Sequence, residues 1–406
     1  MQPSDPETPR GAIDTVELAR IERLLDSTPP EDLLKLYTAR ELADSGHGAG
    51  RAASLAARFA AKEAACKLFS KEIALGVIAP TDFAVVKDAY GAPEIEATPR
   101  GRAVMDRHRV ARIRVSLTHT PSAATALVWA EAEKVRAPWY GKVMYRIMPI
   151  RRGVIMRNLN RVFSDVLPKS EIERIAQAFY GHYLLFFWEF LRLRLMSPRR
   201  RGKWVRVENA EALRDALSLG KGAFLLTGHF GNWEVSTVAG IGQFPEAKGK
   251  FHFVRRPFKP KWLYDRVTRR FQRSGFGTLT KRDSLERILE LLSEGCVIVV
   301  ILDQNASAKD GILVEFLGHP AVTFKSLAIL ARTTGAPVVP ASSWREPDGS
   351  HVLRFDAPLP WIEHPNASEG IRLNTRAYNE ALERAVLRHP EQWIWMHKRW
   401  KHADRE

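Results

Sequence analysis

The chain has 406 residues, 45% of them apolar, and a formal net charge of +16. That length amounts to roughly two to three ordinary domains, and the apolar share supplies a large core, which excludes a disordered or low-complexity chain. Two cysteines in unrelated contexts, Cys66 and Cys296, exclude a disulfide framework or a Cys/His metal cluster and fit a reducing compartment.

The opening Met-Gln-Pro-Ser-Asp-Pro-Glu lacks the basic and apolar regions of a signal peptide, and residues 1–10 read as a polar lead. Ile13–Leu18 reads as a short strand and Ala53–Phe69 as an alanine-rich helix. Phe83–Lys87, Ile113–Leu117 and Ala124–Glu131 read as further strands. The charged run Glu131–Pro138 is the expected linker. Charge balance changes there: residues 1–132 carry 17 basic and 18 acidic side chains, so the positive excess lies wholly beyond them. Such asymmetry predicts two modules with different partners.

The second module opens on Tyr140–Met156, where Lys142, Arg146, Arg151 and Arg152 interleave with Tyr, Met and Ile. Phe179–Met196 is strongly apolar but contains Glu189, Arg192 and Arg194, so it reads as an interfacial or buried helix rather than a membrane span. Basic residues beside Trp and Phe suit the headgroup boundary of an anionic bilayer. Elements then alternate. Helices are expected at Glu208–Leu219, Leu285–Ser293 and Lys325–Arg332. Strands are expected at Ala223–Thr227, Lys250–Val254, Val297–Leu302 and Pro337–Ala341. This predicts an α/β layer structure with a largely parallel sheet flanked by helices. No repeat appears, and no nucleic-acid-binding motif accompanies the positive charge.

In Leu-Leu-Thr-Gly-His229-Phe-Gly-Asn232-Trp-Glu234 a histidine follows a buried strand directly, and sites form at strand carboxyl ends. A helix starting between His229 and Glu234 would let the carboxylate orient the imidazole, making His229 a general base toward a hydroxyl. Attack by that hydroxyl on a thioester completes an acyl transfer. Two more strand ends carry polar groups: Asp303-Gln304-Asn305 and Arg255-Arg256-Pro257.

These strings, with Val314-Glu-Phe-Leu-Gly318-His-Pro-Ala321, Thr334-Gly-Ala-Pro-Val-Val-Pro340 and Pro390-Glu-Gln-Trp-Ile-Trp-Met-His-Lys-Arg-Trp-Lys401, make residues 139–403 resemble the lipid A biosynthesis acyltransferase family, within the lysophospholipid acyltransferase group. The resemblance implies a His229/Glu234 catalytic pair and an acyl-carrier-protein or coenzyme A thioester as donor. It implies a membrane lipid as acceptor and a peripheral place on the cytoplasmic, inner face of the inner membrane. Arg256, Asp303, Gln304 and Asn232 would line the substrate site.

The first module combines Ile13-Asp14-Thr-Val-Glu17-Leu with Arg58-Phe-Ala-Ala-Lys62-Glu63-Ala-Ala-Cys-Lys67. Convergence of Asp14 and Glu63 would suit Mg²⁺, with lysines beside it for phosphate. Asp88-Ala-Tyr-Gly91-Ala-Pro93 and Val115-Ser-Leu-Thr-His119-Thr follow. In that order the pieces make residues 11–132 resemble holo-acyl-carrier-protein synthase, an α+β phosphopantetheinyl transferase. The resemblance implies transfer of phosphopantetheine from coenzyme A to a carrier-protein serine, with Mg²⁺ on Asp14 and Glu63. Lys67, Lys62 and His119 would lie near the pyrophosphate and the reacting hydroxyl. Arg20 and Arg23 would face the acidic carrier protein. A homotrimer with sites at subunit interfaces is also implied. Two departures, Ala12 for a glycine and Ser70-Lys71-Glu72 for a glycine-rich phosphate loop, leave an inactive, carrier-docking first domain as the alternative.

Overall fold

The computed structural model describes residues 11–69, 74, 76–108, 110–132, 135–244, 248–255, 259–280 and 284–401. Arg256 and the segment Ser70–Glu72 lie outside them. The chain divides into two compact units, the second beginning at Val135.

In the first unit β1 (Gly11–Glu17), β4 (Val110–His119) and β5 (Ala123–Ala132) form an antiparallel sheet in the order β1-β5-β4. β2 (Phe83–Lys87) and β3 (Pro93–Ala97) make a separate hairpin. Helix Arg51–Cys66 buries its alanines against the sheet. Alanine is the best helix former, and its small side chain lets the helix approach closely. Leu55, Ala60, Ala61 and Ala64 are fully buried together with Val128 of β5.

The second unit is built on a seven-stranded sheet. Its strands are β6 (Val205–Glu208), β7 (Ala223–Thr227), β8 (Phe251–Arg255), β9 (Gly277–Thr280), β10 (Val297–Ile301), β13 (Val338–Arg345) and β14 (His351–Phe355). Their order is β6-β14-β13-β7-β10-β8-β9, and every neighbouring pair is parallel except β13 with β14. Central strands of such sheets are covered on both faces and read as unbroken apolar runs. Phe-Leu-Leu in β7 and Val-Ile-Val in β10 fit that rule. β11 (Gly311–Phe316) and β12 (His319–Phe324) form an outlying hairpin. The longest helix, Lys169–Leu195, has 27 residues. Among the described residues no helix is long and apolar enough to cross a membrane.

β7 and β10 are parallel neighbours, with Thr227 level with Ile301. Two residues beyond each strand end come His229 and Asp303. Strand pairing alone therefore brings these two side chains to one point.

Candidate active sites

Asp303 Oδ1 accepts a hydrogen bond from His229 Nδ1 at 2.9 Å. Oδ2 accepts from the His229 backbone N–H at 2.7 Å and from Trp393 Nε1 at 2.9 Å. The carboxylate is 1% exposed, so these three donors replace the water it has lost. Burial alone would push its pKa up, but His229, its N–H and Trp393 together hold it below the usual carboxylate value. Burial likewise pulls His229 down. The charge and hydrogen bond of Asp303, with the charge of Glu234 behind them, outweigh it and leave the imidazole above its ordinary value. The arrangement keeps the ring proton on Nδ1 and leaves Nε2 as the accepting nitrogen. Gln304 Nε2 stands 3.5 Å from Nε2, and the Trp233 ring meets the imidazole edge-on at 4.9 Å.

The expected pairing of His229 with Glu234 is thus met by a different hydrogen-bonding partner. Asp303 orients the ring, while Glu234, buried in the short helix Trp233–Val235, acts on it through its charge. Asn232 also differs from expectation. Its side chain is fully buried rather than turned to substrate. Oδ1 caps helix Trp233–Val235 by accepting from Val235 N, and Nδ2 donates to Phe186 O and to Glu189 Oε2.

Two glycines shape this loop. A Cβ on Gly228 would stand 2.9 Å from Asp303 Oδ2 and the Phe230 ring. Gly231 has φ +52° and no room beside Ser343 O, 2.6 Å from where its Cβ would be. The carboxy-terminal segment closes the loop from outside. Gly231 N donates to Gln392 O at 2.9 Å, and Ser343 Oγ donates to Phe230 O at 3.0 Å.

Behind the loop lies a buried ionic network with no motif to mark it in the sequence. Arg345 clasps Glu189 through Nε–Oε1 at 2.5 Å and Nη2–Oε2 at 2.6 Å. Its Nη1 donates to His182 Nδ1 at 2.9 Å. Glu189 connects this cluster to Asn232, and so to the loop that carries His229. Glu189 drew notice in the sequence only as a charge interrupting an apolar helix.

In the first unit, Asp14 on β1 and His119 at the end of β4 share the helix-covered face, two strands apart. Asp14 is level with Leu117, two residues before His119, so strand spacing and rise together put about 12 Å between those positions. Lys67 Nζ reaches Asp14 Oδ1 at 2.5 Å, and the exposed Glu63 lies one helical turn before it. The structure therefore joins Lys67 to Asp14, with Glu63 one turn earlier on the same helix. Lys62 is a correction. Its ammonium is buried against Glu41 at 2.7 Å and Pro80 O at 2.9 Å, inside the core. Arg20 stacks over Phe59 at 5.3 Å and Arg23 folds back on Ala19 O, both on the exposed helix Leu18–Ser27. Among the described residues no three His, Cys, Asp or Glu side chains gather as metal ligands. Two carboxylates with an ammonium already drawn to one of them do suit a hard cation that completes its shell with phosphate and water.

Residues 137–402 match the family model described as bacterial lipid A biosynthesis acyltransferase, and residues 12–128 match that of the 4'-phosphopantetheinyl transferase superfamily. The chain is 26% identical over 251 residues to a phosphatidylinositol mannoside acyltransferase of Mycolicibacterium smegmatis, covering 61% of this chain and 78% of that protein. It is 25% identical over 272 residues to the lipid A biosynthesis lauroyltransferase of Escherichia coli, covering 64% of this chain and 82% of that protein. The first unit is 39% identical over 124 residues to a holo-[acyl-carrier-protein] synthase of a Methylobacterium species, covering 29% of this chain and 90% of that protein. The chain therefore belongs to the bacterial lipid A biosynthesis acyltransferase family and carries, ahead of that enzyme, a second transferase of the 4'-phosphopantetheinyl transferase superfamily.

Proposed function

We propose that residues 139–403 move an acyl group from a phosphopantetheine thioester, on acyl carrier protein or coenzyme A, to a hydroxyl of a membrane lipid. The observation that carries this is the His229–Asp303 pair at the carboxyl ends of β7 and β10, with Nε2 left as the accepting nitrogen. The acceptor hydroxyl gives its proton to Nε2 while its oxygen bonds to the thioester carbonyl carbon. The carbon–sulfur bond then breaks, and the imidazolium returns the proton to the departing thiolate. Asp303 stabilises the imidazolium throughout, and Glu234 adds negative charge nearby.

Residues 11–132, in the same proposal, transfer phosphopantetheine from coenzyme A to a serine of acyl carrier protein. Asp14 and Glu63 would hold Mg²⁺, which supplies charge neutralisation at the pyrophosphate. Lys67, on Asp14, lies ready for the phosphates, and His119 accepts the serine proton as the serine oxygen bonds to the phosphorus carrying pantetheine, the pyrophosphate P–O bond breaks and 3',5'-ADP leaves. Asp14→Ala and Glu63→Ala should each abolish the mass gain of apo-carrier protein incubated with coenzyme A and Mg²⁺. Intact-mass spectra of carrier treated with each variant check this, and unchanged modification by both would remove the assignment. Trimer formation is supported by an exposed apolar row on the outer sheet face, where Ile13 pairs directly with Leu127 and Trp129 lies beyond it on β5.

The enzyme works, on this reading, as a peripheral protein on the cytoplasmic face of the inner membrane. Support comes from two helices of the second unit. Helix Lys169–Leu195 exposes Leu184, Phe187, Trp188, Leu191 and Leu195 at helical spacing, Leu195 at 88% exposure. Helix Trp139–Ile147 exposes Trp139, Val143 and Ile147, with Lys142 and Arg146 beside them. Exposed apolar side chains at helical spacing with basic residues beside them fit an anionic bilayer. Trp188→Ser with Leu191→Ser should weaken binding to phosphatidylglycerol vesicles about 100-fold, from roughly 1.5 kcal/mol of lost burial at each side chain. Vesicle co-sedimentation reads the loss, and equal binding of both proteins would point to another surface.

A further inference from the structure

The second unit has a groove of about 870 Å³ that the reaction above does not use. One wall is helix Arg152–Phe163, which turns Arg157 and Arg161 into it; the other is the carboxy-terminal segment with Lys398, Trp400 and Lys401. His319 lies across the mouth, and Asp165 is the single acid in the lining. Four basic groups therefore face one another against one acid. Arg157 and Arg161 stand at i,i+4 on one helical face, a spacing at which like charges destabilise a helix. Arg161 is held over the Trp400 ring at 5.8 Å, whereas Arg157, Lys398 and Lys401 are exposed, and an anionic partner offsets the repulsion among these groups.

The groove is also wired to the active site. Asn158, in its lining, donates through Nδ2 to Trp395 O and His397 O, both at 2.7 Å. His397 Nε2 in turn accepts from Asn305 N–H at 3.1 Å, two residues beyond Asp303. Burial lowers the His397 pKa, which keeps that ring the neutral acceptor this bond requires. The segment that closes the groove is thus the one fastened to the strand end bearing the catalytic carboxylate.

We propose that this groove docks an acidic acyl carrier protein as the acyl donor, with Arg157, Arg161, Lys398 and Lys401 meeting its acidic surface and its thioester arm passing toward His229. The inference rests on the acyltransferase reading of residues 139–403. A protein is preferred to coenzyme A because the charges are spread along two opposed walls. The chain's first domain also belongs to a superfamily that, on the reading above, modifies such a carrier.

The test uses the full chain with Arg157→Glu and Lys401→Glu, separately and together. With acyl-carrier protein as donor, KM should rise at least tenfold while kcat at saturation is kept. Transfer from the same acyl group on bare pantetheine should not change. Equal losses with both donors, or a loss confined to acyl-coenzyme A, would overturn the proposal. A second readout does not depend on turnover: a photo-cross-linker at position 401 should give a covalent adduct with holo-carrier protein that high salt suppresses. Absence of that adduct also overturns the docking proposal, even where acyl transfer proceeds. Absence of transfer by the wild type from every thioester, with the adduct still forming, would instead count against the acyltransferase reading and leave the docking site standing.

Discussion

Asp303→Asn should lower kcat for lipid acylation by roughly 10²–10⁴-fold, the range a positioned general base contributes. KM should change little, because Asp303 is buried behind the histidine and touches no substrate. An asparagine that turns its amide nitrogen to Nδ1 fixes the wrong tautomer and leaves Nε2 protonated. The pH profile should move as well. His229 must be neutral to accept a proton, and its pKa is raised by Asp303 against the lowering effect of burial. Wild-type activity should therefore fall away on the acid side of a pKa above 6.5. Without the Asp303 charge the effect of burial remains, so the acid limb should shift to lower pH even as the maximal rate collapses. Glu234→Gln should move the limb in the same direction by less, since Glu234 acts through its charge and comes after Asp303 among the groups that raise the pKa. Rates from pH 5 to 9 for the three proteins decide the matter. A greater loss in Glu234→Gln than in Asp303→Asn would make Glu234 the orienting carboxylate.

The second large effect falls on stability. Glu189→Ala should destabilise the second unit by about 3–5 kcal/mol, the usual cost of leaving a buried charge without its partner. Arg345 would lose both carboxylate bonds, and Asn232 would lose one of its acceptors. The Glu189 carboxyl is held down at about 2: burial would raise it, but His351 and Arg345 lower it further. A depressed carboxyl pKa gives stability that is present above the unfolded value, near 4.5, and lost as pH falls toward 2. Denaturant titrations at pH 7, 5 and 3 should show the wild type losing its advantage over Glu189→Ala as the solution becomes acid. An advantage that does not change with pH would mean that packing, rather than charge, holds the helix to the loop.

Much of this architecture is legible in the sequence because the sheet is built from unbroken apolar runs. The expected strand Ala223–Thr227 is β7 residue for residue, and Val297–Leu302 ends one residue beyond β10. His229, Asp303 and Gln304 could be picked out because polar groups after such runs stand at strand carboxyl ends. Which two ends are neighbours is not written in either run, since parallel pairing and register arise from the whole sheet. Sequence proximity therefore pairs His229 with Glu234, five positions away, although the carboxylate at Nδ1 is Asp303, 74 residues later and just past the end of β10. The same limit hid Trp393, whose indole N–H reaches Asp303 from the far end of the chain. Asn232 and Lys62 failed for another reason. Residue type in a motif suggests a ligand, but a cap on a short helix and a buried ion pair draw on the same polar side chains. The expected apolar helix at Phe179–Met196 is the latter part of helix Lys169–Leu195, with Phe179 and Phe186 buried and Phe187 and Trp188 exposed. Period alone did not reveal which of its charges were paired inside.

In the proposed reaction His229, oriented by Asp303, moves an acyl group from a thioester to a lipid hydroxyl. The most direct measurement follows a radiolabelled acyl chain from acyl-carrier protein into an extracted lipid fraction, with the wild type and a folded His229→Ala variant side by side. An ester-linked, base-labile labelled lipid is expected with the wild type and none above background with the variant. Equal labelling by the two proteins would contradict it.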